Sequence, residues 1–285
     1  KLRTRFGNKP GFFLTGKNLA DSTVADIRSP SKTAGSSFRG ALESYFGEKL
    51  SLDYATRPIN QSSHGRKASS LTAALQLACR YDDVGAACIH GHFMPIKYRW
   101  LKTAPRKKFV VWLRDPIERL ASHYYYWTSD YNPDTAGLLR RQVVEQSWDI
   151  ERFCFSGEMR NIYTQWVWGF PMRRFDFVGI TENYASDLNY FARTILKSEL
   201  PVTATNVNPL RPAERYIDDS GLRSRLEKFH QKDMRLYWRA LEFPGVGNEV
   251  KDRPTTGPFG PINILSVCVE PKSQVRWRPE QESNL

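Results

Sequence analysis

The stretch Phe109-Val110-Val111-Trp112-Leu113-Arg114-Asp115-Pro116-Ile117-Glu118-Arg119-Leu120-Ala121-Ser122 decides the fold. Five consecutive large apolar residues read as a strand buried on both faces, as in a parallel sheet covered by helices. A helix starts sharply after it. Asp115 is a good N-cap, Pro116 suits the first helical position, and Glu118 completes a capping-box-like arrangement. Ile117, Leu120, Ala121 and Tyr124 form the helix's core stripe, while Ser122 lies on another face and is free to meet a ligand. Arg114 ends the strand at its carboxyl side, where ligands bind in open α/β sheets, and its guanidinium can fork onto a phosphate. Taken alone, the segment is equally a capped helix whose arginine sits in a salt bridge.

Outward from this segment, short β-rich runs alternate with helical patterns. Thr23–Ile27, Gly85–His90 and Phe175–Ile180 read as strands, and Ser36–Tyr45 as a helix. Ala68–Tyr81 puts Leu71, Ala74, Leu75 and Ala78 on one helical face, and Leu188, Phe191, Ala192, Ile195 and Leu196 recur at spacings of three and four. Gly221–Leu241 reads as one long amphipathic helix. Such alternation predicts an α/β fold, a parallel sheet with helices on both faces, in a single domain over 23–244. An N-terminal extension covers 1–22. Beyond Gly245, glycine and proline crowd the chain, and 245–285 is expected to be an irregular C-terminal tail.

The first strand candidate runs into Ser29-Pro30-Ser31-Lys32-Thr33-Ala34-Gly35-Ser36-Ser37. Small residues opening a helix let backbone N–H groups approach an anion, the helix N-terminus adds positive partial charge, and Lys32 adds a point cation. Thr33, Ser36 and Ser37 contribute hydroxyl donors. The loop is P-loop-like in layout but is not a Walker A loop, which needs glycine where Asp26 and Ser31 stand. An ordinary βα turn with a surface lysine explains it equally well in isolation.

The chain of 285 residues is 40% hydrophobic and 25% charged, the composition of a globular domain, and its +12 charge suits polyanionic company. Cys79, Cys88, Cys154 and Cys268 form no CxxC pair and no Cys/His metal pattern, so no metal is expected and nothing suggests a disulfide scaffold. No apolar run approaches the roughly 20 residues of a membrane span. The sequon Asn60-Gln61-Ser62 carries little weight alone.

Together, Lys32–Ser37 and Arg114–Ser122 resemble the two cofactor loops of carbohydrate sulfotransferases that use 3′-phosphoadenosine 5′-phosphosulfate (PAPS). Arg114–Tyr126, ending in Tyr124-Tyr125-Tyr126, is similar to the hexuronyl 2-O-sulfotransferases acting on heparan or dermatan chains. Further similarity lies in His90-Gly91-His92, in Gly137-Leu138-Leu139-Arg140-Arg141, in Val178-Gly179-Ile180-Thr181-Glu182 and in Asp233–Ala240, so the resemblance spans Thr23 to Leu241. The family has proline directly before its loop lysine, whereas here Ser31 intervenes.

The resemblance implies transfer of a sulfuryl group from PAPS to a carbohydrate hydroxyl, with 3′-phosphoadenosine 5′-phosphate (PAP) released and no metal. Lys32 would neutralise the leaving 5′-phosphate, Thr33, Ala34, Gly35, Ser36 and Ser37 would hold it, and Arg114 and Ser122 would bind the 3′-phosphate. His92 would be the catalytic base, with His90 assisting; Arg28, Arg140 and Arg141 would bind the glycan acceptor, anionic or neutral, a uronic-acid-containing polysaccharide being one candidate. Lys32 and Arg114 should then stand at carboxyl ends of neighbouring parallel strands. Trp166 and Trp168 suit either sugar stacking or the core, and His64, His123 and His230 lack comparable context. An ATP-dependent phosphoryl-transfer enzyme and a basic nucleic-acid-binding protein also explain a phosphate loop or the charge. Neither a nucleic-acid nor a membrane partner is expected. The compartment follows the source: cytoplasmic in a bacterium, the Golgi lumen if an N-terminal anchor has been removed.

Overall fold

The computed structural model describes residues 34–54, 61–79, 85–101, 107–129, 131–200, 215–242 and 264–269, all within one compact unit. Five strands form one open sheet: β1 (Leu50–Asp53), β2 (Cys88–Gly91), β3 (Lys107–Leu113), β4 (Phe177–Ile180) and β5 (Ile264–Val269). Their order is β1-β2-β5-β3-β4. The pairs β1–β2 and β3–β4 are parallel, while β5 pairs antiparallel with both β2 and β3, so four strands run one way and β5 opposes them.

Alternation along the strands builds two cores. Val110 and Trp112 of β3 face a layer made by Phe38, Ala41 and Leu42 of α1 (Ala34–Phe46) and Tyr184, Leu188 and Phe191 of α7 (Tyr184–Phe191). Phe109, Val111 and Leu113 face the opposite layer, with Ile162, Tyr163 and Trp166 of α6 (Ile162–Trp166) and Leu236, Tyr237 and Ala240 of α9 (Gln231–Leu241). Each fully buried large side chain contributes about 1.5–3 kcal/mol, which is why a strand apolar on both faces belongs mid-sheet. Gly179 is dictated by this packing, because a Cβ there would stand 2.5 Å from the Trp112 ring. A third cluster joins α3 (Pro116–Ser129), α4 (Leu138–Glu145), α5 (Ile150–Cys154) and α8 (Ser220–Phe229) through Leu120, Trp127, Val143, Phe153 and Leu226. The α/β fold, single domain and two helical layers are as expected.

Several expectations need correction. The tail over 245–285 is not irregular throughout, because Ile264–Val269 is the central strand β5. Its mostly apolar run, half of it β-branched, suits a position between two strands, and Val267 is fully buried. Both edges of β3 are thereby occupied, by β4 and β5, and no edge of β3 is left for the strand expected before Lys32. Gly221–Leu241 is two helices, α8 and α9. The break is at His230, whose buried ring is pinned by the backbone N–H of Asn161 and the carbonyl of Cys154. Helix α2 spans Ser63–Cys79, earlier than expected, and β1 was not anticipated. The strand expected at Thr23–Ile27 lies outside the described residues.

Candidate active site

Three elements converge at the carboxyl edge of the parallel strands: the end of β3 leading into α3, the end of β2, and α1. Asp115 caps α3 as expected, accepting from the backbone N–H groups of Ile117 and Glu118 at 2.9 and 3.0 Å. The capping box, however, closes differently. The N–H of Asp115 donates to Glu182 (2.8 Å), while Glu118 accepts from the Tyr216 N–H at 3.2 Å and faces Arg114 and Arg223. Burial raises the pKa of both glutamates, partly opposed by nearby arginine.

Arg114 is 2% exposed. Its backbone is held from both sides by the Tyr163 hydroxyl, which accepts from its N–H and donates to its carbonyl. The guanidinium lies 5.7 Å from the Tyr216 ring centre, and its nearest carboxylate oxygen, on Glu118, is 3.9 Å away. Its Nη1 is buried and makes no hydrogen bond. A salt bridge therefore does not account for this arginine, since a buried donor without a partner costs about 1–3 kcal/mol or more. Ser122 is buried on α3, the helix that follows Arg114. So is Arg119, whose guanidinium lies over the Tyr163 ring and whose Nε has no partner. Tyr163 is itself placed by Asp233, which accepts the N–H groups of Tyr163 and Thr164 at the start of α6.

The two histidines at the end of β2 differ sharply. His90 is fully buried, its Nδ1 lies 2.9 Å from the Ser266 hydroxyl of β5, and its Nε2 is without a partner. Burial, aided by the neighbouring His92 and Arg39, lowers its pKa to about 3. His92 lies one residue past the strand and is exposed, yet the surrounding protein lowers its pKa to about 4 by desolvation. His92 is thus the accessible ring of the pair, and both shifts favour the neutral imidazole. Tyr54 and Trp166 flank His92 edge to face at 5.0 and 6.1 Å. The glycine between the histidines is a steric requirement, because a Cβ on Gly91 would stand 2.0 Å from the Asp53 carbonyl oxygen.

Helix α1 reaches the same edge. Phe38 packs against Trp112 at 5.2 Å and against the His90 ring at 5.9 Å, and Ser37 is buried beside it. Ala34, Gly35 and Ser36 form the first turn of α1, whereas Arg28, Lys32 and Thr33 lie outside the described residues. Arg140 and Arg141 are half-buried on α4. Arg140 donates to the Trp127 and Tyr126 carbonyls at the end of α3, and Arg141 donates to the Ala136 carbonyl.

Sequence reasoning missed Tyr54, Ser266 and Tyr163, and gave no role to Glu182 and Asp233, which lie in stretches it had quoted for the resemblance; all are brought in by contacts remote in sequence. It also passed over His123. That ring sits next to Ser122, has a buried Nδ1 without a partner, and has a pKa well below the ordinary value through burial and the nearby Arg119 and His92. Beyond Trp166, whose indole is core, a groove of about 820 Å³ is lined by Trp168, Arg173, Lys232, Arg235, Leu236 and Arg239 among others. No carboxylate is among its described lining residues. Trp168 is 37% exposed, with Lys67 5.4 Å from its ring centre. Among the described residues, no group of acidic, histidine or cysteine side chains is placed to hold a metal, and no helix is long and apolar enough to cross a membrane. Comparison with protein-family models, curated proteins and solved structures yields no match.

Proposed function

We propose that the chain is a PAPS-dependent carbohydrate sulfotransferase with a P-loop-like cofactor site. The observation that carries this reading is Arg114, a buried guanidinium with an unused donor at the carboxyl end of β3, in the motif that resembles a 3′-phosphate site. An anion there would satisfy Nη1, and Ser122 and Arg119 lie on the helix that follows it, α3. PAPS would supply an activated sulfuryl group and a phosphate leaving group. Arg114 and Ser122 would bind the 3′-phosphate, while the N-terminus of α1, with Lys32 before it, would neutralise the 5′-phosphate.

His92 would take the acceptor hydroxyl's proton. It is the accessible member of the pair and is proton-free at pH 7, as a base must be. An anionic ligand beside it would raise its depressed pKa and strengthen it as a base. His90, held by Ser266, would position the end of β2 rather than meet the acceptor. The acceptor would be a carbohydrate of acidic character, laid across Trp168 and the cations of the groove, which lies two residues beyond Trp166. The test is thermal stabilisation followed by transfer. PAP should raise Tm more than ATP–Mg²⁺ or DNA, and labelled PAPS should sulfate a desulfated glycosaminoglycan. Stabilisation by ATP–Mg²⁺ or by DNA above that by PAP would replace this reading with phosphoryl transfer or nucleic-acid binding.

A further inference from the structure

We infer that Cys88 and Cys268 are a disulfide site, closed when the chain folds in an oxidising compartment. The two residues are 180 positions apart, yet they are direct cross-strand partners in the antiparallel ladder between β2 and β5. Directly opposed residues in such a ladder have Cα atoms about 4.5–5.5 Å apart, inside the range that a disulfide spans. Their side chains already meet, Sγ to Sγ, at 3.5 Å. Both are free thiols, both are buried, and both belong to the core layer formed with α1 and α7. Cys79 is exposed and Cys154 lies in the third cluster.

The bond forms by two exchanges with a small-molecule or protein disulfide, RSSR. One protein thiolate attacks RSSR, giving a mixed disulfide and one RS⁻. The second thiolate attacks the protein sulfur of that intermediate and releases the other RS⁻. Two protein thiols are oxidised and one RSSR is reduced to two RSH. Timing follows from burial. Contact with Cys268 and desolvation hold the Cys88 thiol well above its ordinary pKa, so little thiolate exists in the folded chain. Exchange therefore belongs to the folding stage, before β5 closes over β2, and a finished bond is shielded from reductant.

The cross-link has a structural consequence. Residues two apart on a strand share a face, so Cys88 lies beside His90 and Cys268 beside Ser266. The disulfide would fix the register that pairs His90 with Ser266 and would tie β5 to the sheet covalently. This inference stands independently of the sulfotransferase reading.

The full chain, refolded in a glutathione redox buffer and then denatured in the presence of an alkylating agent, should give one linked peptide pair containing Cys88 and Cys268. That product should be two hydrogens lighter than the reduced chain, with Cys79 and Cys154 alkylated. Reduction should lower Tm by roughly 5–15 °C, the scale for opening a long loop, and a Cys88→Ser/Cys268→Ser chain should show no such redox dependence. Free Cys88 and Cys268 in the refolded chain, or linkage of either to Cys79 or Cys154, would overturn the inference without touching PAP binding.

Discussion

Arg114→Met separates a ligand-binding arginine from a structural one. In the apo chain the guanidinium is buried, has one unused donor, and has only a 3.9 Å approach to Glu118. Removing it relieves a desolvation penalty, and Glu118 keeps Arg223 at 3.6 Å, so the unliganded Tm should stay within a few degrees of the parent. With PAP the outcome differs. Charge-assisted hydrogen bonds contribute about 1.5–3 kcal/mol, and 2 kcal/mol corresponds to about a 30-fold loss of affinity. At PAP equal to about 100 times the parent's Kd, binding stabilises the parent by about 2.7 kcal/mol and the variant by about 0.9 kcal/mol. At about 2–4 °C per kcal/mol, the PAP-induced shift should fall from about 5–11 °C to about 2–4 °C. AMP, which lacks the 3′-phosphate, should shift both proteins equally. Equal losses for PAP and AMP, or a collapse of the unliganded Tm, would return Arg114 to the fold and remove the 3′-phosphate site.

Other perturbations probe the remaining parts. His92→Ala should lower sulfate transfer by roughly a hundredfold or more, with PAP affinity preserved, because the base and the cofactor contacts are separate; retained turnover in a steady-state assay would exclude it as the base. Arg235→Glu with Arg239→Glu should weaken binding of an acidic oligosaccharide by roughly tenfold and flatten its salt dependence, while PAP binding holds; unchanged affinity by fluorescence anisotropy would detach the groove from the acceptor. His230 predicts a pH effect. Burial lowers its pKa to about 4, so as pH falls below 6.5 the unfolded chain takes up this proton first. Stability must then drop between pH 6.5 and about 4, by up to about 1.4 kcal/mol per unit. Urea unfolding at pH 7 and pH 5 should show a smaller difference for His230→Gln than for the parent, and an equal difference would show that His230 is not held neutral.

What was legible in the sequence was local. Phe109–Leu113 announced a two-sided strand and Asp115-Pro116 announced a helix start, because burial on both faces and N-capping each leave their mark within a few residues. The strand β5 was illegible for the opposite reason. Ile264-Leu265-Ser266-Val267-Cys268-Val269 carries strand propensity, but the Gly/Pro crowding before it suggested a tail, and its partners lie at 88–91 and 107–112. Pairing across so long a loop depends on which edges the rest of the sheet leaves open. The capping box failed similarly: Glu118 stands at the right offset, but Glu182, 67 residues away, takes the Asp115 N–H.

The His-Gly-His triplet shows how such remote contacts turn a motif into a site. The resemblance made His92 the base and His90 its assistant, while strand alternation alone puts both on one side. The structure separates them through β1, which crowds Gly91 so closely that only glycine fits, and through β5, which brings Ser266 to His90. Gly91→Ala would force a Cβ into the Asp53 carbonyl, part β1 from β2, and displace both histidines together. The triplet's spacing thus answers to a neighbouring backbone as well as to any reaction, and His92 is the ring of the pair left exposed.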